Sequence, residues 1–264
     1  MKRKLALSLV LVLLIGLLAG CKTEQKMKLS KDEVLAGVSQ DMKSLKSCTF
    51  TAKLDMLISL SYMGDSETAE VSIDAKGEYT SEPKAIHYIA NLNADGKEQY
   101  GEAYLFMQET ETVSYTRDDP DGAFNWNVKE SDPKNDSAQL SGSSLTDLDW
   151  QMEIADDRYI LTHTLTEEDS KSLMAVVGSV DALNEMFSMD GLVDTESGLA
   201  GVKLTMEVNS DLQLLSLSAD FTPLVSAAIQ IAPGLDTTGT RAVLSFTLDN
   251  HNSAIQITPP KPVE

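Results

Sequence analysis

Cysteine is almost missing from this chain: two in 264 residues, Cys21 and Cys48. With Cys21 spoken for by the signal described below, no intramolecular disulfide is available to brace the fold. Cys48 is expected to be a small buried hydrophobe. Basic residues are also scarce, 21 Lys and Arg against 41 Asp and Glu, for a formal charge of −20. Such a surface repels nucleic acid and anionic headgroups, so no nucleic-acid partner is expected. Only three histidines occur, His87, His163 and His251, far apart in sequence. A zinc site needs clustered ligands, so no metal is assigned to them. The nucleophile elbow G-x-S-x-G is lacking: Gly37-Val38-Ser39 and Gly142-Ser143-Ser144 have no closing glycine. There is no Gly-x-x-x-x-Gly-Lys phosphate loop either. In "RDDPDGAFNWNV", Asp119, Asp121 and Gly122 fit a calcium loop, but Arg117 and Val128 stand where its first and twelfth ligands belong. That segment reads as a hairpin turn. These absences leave no enzyme and no cofactor to expect.

Long apolar runs are lacking too, with one short exception. Lys2, Arg3 and Lys4 precede residues 5–19, which are apolar except for Ser8 and Gly16. The run is shorter than the ~20 residues of a membrane-spanning helix. Its length and basic flank fit a secretory signal. It closes on Leu18-Ala19-Gly20-Cys21. This resembles the lipobox of bacterial lipoproteins. The resemblance implies cleavage before Cys21, diacylglycerol on its sulfur, and N-acylation in some bacteria. Residues 1–20 are then the signal peptide, 21–29 a polar tether, and 30–264 a single domain. The expected location is the extracytoplasmic face of the cell membrane, held there through the lipid on Cys21.

Ser30 with Glu33 has capping-box spacing, and Val34, Leu35, Val38, Met42 and Leu45 recur at helical period. A helix is predicted over 31–46. From Phe50 to Tyr62 every even position is apolar, which marks a long strand with one apolar face. Further strands are predicted near 71–79, 86–92, 99–108, 112–117, 123–129, 157–164, 202–209, 212–221, 241–249 and 253–258. Asp95-Gly96 is a hairpin signal. Residues 130–147 read as a polar loop. Thr166 with Asp169 opens a second predicted helix, to about residue 188, with Leu173, Val176 and Val180 on its apolar side. "PLVSAAIQIAPGLD" fits a short helix or a pocket wall. Phe124, Trp126 and Trp150 suit either the core or a ligand cleft, and so do Met42, Met56, Met174, Met186, Met189 and Met206, since methionine fills irregular apolar space.

The order helix, strands, helix, strands has no βαβ alternation, so the sheet is predicted to be antiparallel, with two helices covering its apolar face. The fold class is α+β: a strongly curved antiparallel sheet, an unclosed β-barrel, wrapped around two amphipathic helices. Lipobox, tether, helix with "MKSLKS", long strand, hairpins and the closing "FTLDNHNSAIQITPP" resemble Gram-positive surface lipoproteins of uncharacterised function, related in form to the LolA and LppX/LprG lipoprotein carriers. That resemblance implies an apolar cavity between sheet and helix, which in the carriers holds acyl chains. It carries no catalytic motif. Leu54, Met56, Ile58, Val71, Ile73, Tyr88 and Leu173 are the candidate ligand-binding or core residues. Two functions follow as expectations. One is binding or carriage of a hydrophobic, lipid-like ligand. The other is a structural or sensory lipoprotein that docks a protein partner through its acidic surface, without a ligand.

Overall fold

A computed structural model describes residues 29–62, 65–108, 111–130, 147–155, 157–170, 199–229 and 236–260. The expected signal peptide, Cys21, all but the last residue of the expected tether, most of the 130–147 loop and most of the second predicted helix, including Leu173, lie outside them.

The first helix, α1 (Lys31–Ser44), starts where the capping box places it. The Ser30 hydroxyl accepts from the Glu33 amide at 3.4 Å, and the Glu33 carboxylate accepts from the Ser30 amide at 2.8 Å. It stops two residues before the predicted end. Its buried side is Val34, Leu35 and Val38. The Thr166–Asp169 box is also made, with residues 167–170 helical. The poorly periodic apolar segment forms a short helix, α2 (Thr222–Ile229), with Val225 fully buried.

The strands are β1 (Ser47–Tyr62), β2 (Asp65–Ser81), β3 (Lys84–Ala94), β4 (Lys97–Met107), β5 (Glu111–Arg117), β6 (Asn125–Glu130), β7 (Gln151–Ala155), β8 (Arg158–Thr164), β9 (Lys203–Asn209), β10 (Leu214–Asp220) and β11 (Arg241–Asp249). All pairs are antiparallel, in the order β6-β5-β4-β3-β2-β1-β11-β10-β9-β8-β7. Among the described residues the sheet therefore has two free edges, β6 and β7, and is not closed by pairing. Asp95 and Gly96, both with positive φ (50° and 78°), make the tight β3–β4 turn that Asp-Gly announces.

Two elements differ from expectation. The edge strand β7 was not foreseen. Residues 253–258, predicted as a strand from Ile255 and Ile257, pair with nothing as a strand. Both sides of β1 are already taken by β2 and β11, so the closing segment has no free edge to join there. Instead the turn at 250–253 latches onto the start of β1. The Lys46 amide donates to Asn252 Oδ1 at 2.7 Å, the Asn252 amide to the Ser47 carbonyl at 2.8 Å, and Asn250 Nδ2 to Thr49 Oγ1 at 3.0 Å. His251 is buried between α1 and β10. Its Nε2 lies 3.1 Å from the Leu214 carbonyl, and its Nδ1 3.3 Å from Asp41 Oδ2, without hydrogen-bond alignment to that carboxylate.

The face of the sheet that carries Leu54 and Met56 is the inner face. Its apolar core runs over β1 and β8–β11 and includes Trp150, Tyr159, Leu161, Val202, Met206, Val208, Ala242 and Leu248, with α1 and α2 packed on it. Cys48 belongs to this core, and burial pushes its thiol up to about 11. It is a buried hydrophobe, not a nucleophile.

Candidate functional site

Strand register decides which candidate residues meet. Leu54 pairs with Ile73 and Met56 with Val71 across β1–β2, while Tyr88 on β3 faces Gly77 on β2 and Ala103 on β4. Residues directly opposite share a face. Leu54, Met56, Ile58, Val71, Ile73 and Tyr88 therefore all point to the inner side. They do not share one environment. Leu54 and Met56 are each 3 % exposed and belong to the packed core. Ile58, Val71 and Ile73 are half-buried at its margin, and Tyr88 lies beyond it.

Beyond that margin the inner face stays apolar but becomes open. Ala52 faces Ala75, Ala75 faces Ala90, and Ala90 faces Gly101. These four small residues form a furrow across β1–β4. Leu54, Ile73 and Leu92 flank it on one side, and Phe50, Gly77, Tyr88 and Ala103 on the other. At Gly101 an added Cβ would meet nothing within 4 Å, so the furrow is open there. Gly77 has no such room, because the Phe50 ring lies over it at 2.5 Å from an added Cβ, and that ring stacks on Phe246. Further out, on β5 and β6, the inner positions turn polar: Thr112, Ser114, Thr116, Asn125 and Asn127, with Lys129 next in the row on β6.

The outer face of the same strands is built differently. Glu102 on β4 is 5 % exposed and accepts from His87 Nε2 at 2.9 Å, Tyr100 OH at 2.8 Å and Arg117 Nε at 2.7 Å. The Arg117 guanidinium also lies 4.6 Å from the centre of the Phe124 ring and donates to the Pro120 carbonyl. His87 stacks on Tyr104 with 4.0 Å between centroids. Burial alone would raise the Glu102 pKa, but the His87, Tyr100 and Arg117 donors outweigh it and hold the carboxyl down at about 2. The near-calcium segment is spent here: Arg117 binds Glu102, and Asp119 caps its own turn through the Asp121 amide at 2.9 Å. Among the described residues no group of three or more His, Cys, Asp or Glu could hold a metal ion. Of the aromatics left open by the sequence, Trp150 is core, Phe124 packs on Arg117, and Trp126 is 68 % exposed on the outer side of β6.

Two clefts are also present. One of about 400 Å³ runs along the polar side of α1 at Asp32, Ser39 and Lys43. The other, about 390 Å³, lies at Thr49, Thr51, Lys76, Glu78 and His87 and reaches Phe50 and Gly77 on the furrow's flank. Neither contains a candidate ligand-binding residue.

Sequence reasoning missed both the furrow and the Glu102 cluster. The furrow needs the register of four strands, which no single segment reveals. The cluster had a local signal: in "YGEAYLF", Tyr100, Glu102, Tyr104 and Phe106 alternate with Gly101, Ala103 and Leu105, so neither face of β4 is plainly polar.

No curated protein matches the chain. Among solved structures, the β-barrel-like protein of domain of unknown function DUF1849 from Brucella abortus is 8 % identical, with a TM-score of 0.27, over 78 % of this chain and 100 % of that one. A DUF1329 family protein from Desulfovibrio piger is 10 % identical, with a TM-score of 0.23, over 86 % and 93 %. Likenesses so distant say nothing of what this chain binds. A protein family described as a family of unknown function (DUF6612) matches residues 30–212, and the chain belongs to that family.

Proposed function

We propose that this chain is a lipid-anchored extracytoplasmic protein, without enzymatic activity, that binds a hydrophobic ligand on the open part of its inner sheet face. The basic, apolar and Leu-Ala-Gly-Cys order of residues 2–21 supports the anchor and the location. One observation carries the ligand: the apolar face continues past the packed core as the Ala52–Ala75–Ala90–Gly101 furrow, with room above Gly101. These positions are half-buried, and contiguous apolar surface left partly open to solvent is a feature of binding grooves. The flanking Ile73, Tyr88 and Leu92 offer apolar walls at half burial.

The test uses the full-length Cys21→Ser chain, which removes the proposed anchor as a competing lipid. An uncharged fluorescent probe of apolar environments is titrated into it and into the same chain carrying Gly101→Trp. The parent is expected to bind the probe saturably, and Gly101→Trp to lower its affinity at least tenfold while leaving the fold intact. A parent that takes up no probe removes the ligand reading. A protein-docking lipoprotein would then be the better account, and the acidic surface is what favours it.

A further inference from the structure

The outer face of β4–β6 carries an apolar surface of its own, on the opposite side of the sheet from the furrow. Register sets it out in two rungs. Tyr104 on β4 faces Tyr115 on β5, which faces Trp126 on β6. In the next rung Phe106 faces Val113, which faces Val128. Phe124 meets Tyr104 edge-on at 5.6 Å between centroids, and Phe106 meets Tyr115 likewise at 6.1 Å. In a chain only 6 % aromatic, this gathers rings at one place. Trp126 is 68 % exposed and Val128 43 %, so the surface lies open to water at the edge strand. The Glu102 cluster holds it in shape. His87 and Arg117 both bind Glu102, and they lie against the rings of Tyr104 and Phe124 respectively. Rings fixed in this way lose little freedom when a partner docks on them.

Charge selects the partner. At one end of the rungs stands Glu111, with Glu130 opposite it in register. At the other end the turn between β5 and β6 carries Asp118, Asp119 and Asp121, all exposed. The cation adjoining them, Arg117, is already held by Glu102. Lys76 stands two strands away from β4, on β2, and Lys97 and Lys129 belong to the inner face. Such a rim repels anionic membranes and nucleic acid, and it repels a second copy of a chain with a formal charge of −20. It attracts a basic protein segment, and Trp and Tyr are prominent among the side chains that anchor protein partners. We infer that the outer face of β4–β6 docks a basic segment of a partner protein. The segment's apolar side chains pack on Tyr115, Trp126 and Val128, and its Lys or Arg side chains meet the Glu and Asp rim. This inference does not rest on the ligand reading, since the two surfaces lie on opposite faces.

The test titrates full-length Cys21→Ser protein into labelled synthetic peptides and reads their anisotropy. One peptide has a Val-Tyr centre with lysines at both ends. A second has the same centre with glutamates at both ends, and a third keeps the lysines around a Gly-Ser centre. The first is expected to bind saturably and about tenfold or more tightly than either of the others, because it alone meets both the rings and the rim. Its binding should weaken as salt approaches about 1 M, where the screening length falls to ~3 Å. Trp126→Ala should lower its affinity about tenfold with the melting temperature nearly unchanged, since the ring is exposed. Asp118→Asn combined with Asp121→Asn removes charge from an exposed turn and should weaken the first peptide severalfold without touching the rings. Equal binding of the glutamate-ended peptide overturns the basic partner and leaves an uncharged one, such as a glycan. Equal binding of the Gly-Ser peptide means attraction to net charge alone and overturns the docking surface. So does full affinity in Trp126→Ala, or no binding of the first peptide at all.

Discussion

The two halves of this sheet solve the same problem by opposite means. Over β1 and β8–β11 the inner face is sealed by α1 and α2, and the most deeply buried large side chains are apolar: Trp150, Tyr159, Leu161 and Met206. Over β3–β6, by contrast, the buried residues among those described are two alanines, Ala85 and Ala103, and one carboxylate, Glu102. The first half is held by burial of hydrocarbon. The second is held by backbone pairing and by a charged clasp on its outer side, and its inner side keeps the half-buried furrow. A half-sheet that spends its apolar face on a core cannot offer that face to a ligand, and this one does not spend it.

Breaking the comparison most sharply means removing a core side chain from the sealed half. Leu161 is fully buried, and Leu161→Ala is expected to lose about 2–5 kcal/mol of global stability, since the cavity adds to the lost transfer energy. Denaturant unfolding measures it. A loss under about 1 kcal/mol would mean that the sealed half is loosely packed as well.

A smaller and local effect is expected in the open half. Glu102→Gln keeps the shape but removes the charge that Arg117 pairs with, and should destabilise β4–β6 by about 2–3 kcal/mol. Hydrogen exchange should show lost protection in β4–β6 and little change in β8–β11. The parent carries a matching pH signature. Because the Glu102 carboxyl is held at about 2 in the folded chain, below its ordinary 4.5, its contribution is full above pH 4.5. It is lost as pH falls from there towards 2, and amounts to about 3 kcal/mol. Glu102→Gln should lack that part of the acid loss. An identical acid profile for parent and variant would show that the clasp does not hold the open half.

The smallest effect belongs to Gly101→Trp. In a packed core such an insertion costs about 1–3 kcal/mol or more. Above an open furrow it should change the unfolding free energy by less than about 1 kcal/mol, measured by denaturant titration, since glycine is itself a weak strand residue.

How much of this was legible beforehand depended on whether a feature is local. Period-two alternation from Phe50 to Tyr62 announced β1, and Asp95-Gly96 announced the β3–β4 turn, because both are written in consecutive residues. The capping boxes at Ser30 and Thr166 were legible for the same reason. The furrow was not, since Ala52, Ala75, Ala90 and Gly101 meet only through register. In β4 the alternation failed to name an inside, because Tyr104 and Phe106 on one face compete with Ala103 and Leu105 on the other. Ile255 and Ile257 looked like a strand but sit beside a β1 with no free edge. Of the seven candidate binding residues, six share the inner face. Leu54 and Met56 turned out to be core, a distinction that depends on where α1 and α2 pack and not on the residues' own pattern.

The central claim is that the ligand lies on the inner face of the open half, outside the packed core. Hydrogen exchange of full-length Cys21→Ser protein with and without the uncharged probe tests it most directly. The account predicts that bound probe slows exchange in β2–β4, around Ile73, Ala90 and Gly101, and leaves β8–β11 unchanged. Protection appearing instead in α1 and β8–β11, or nowhere, would contradict it.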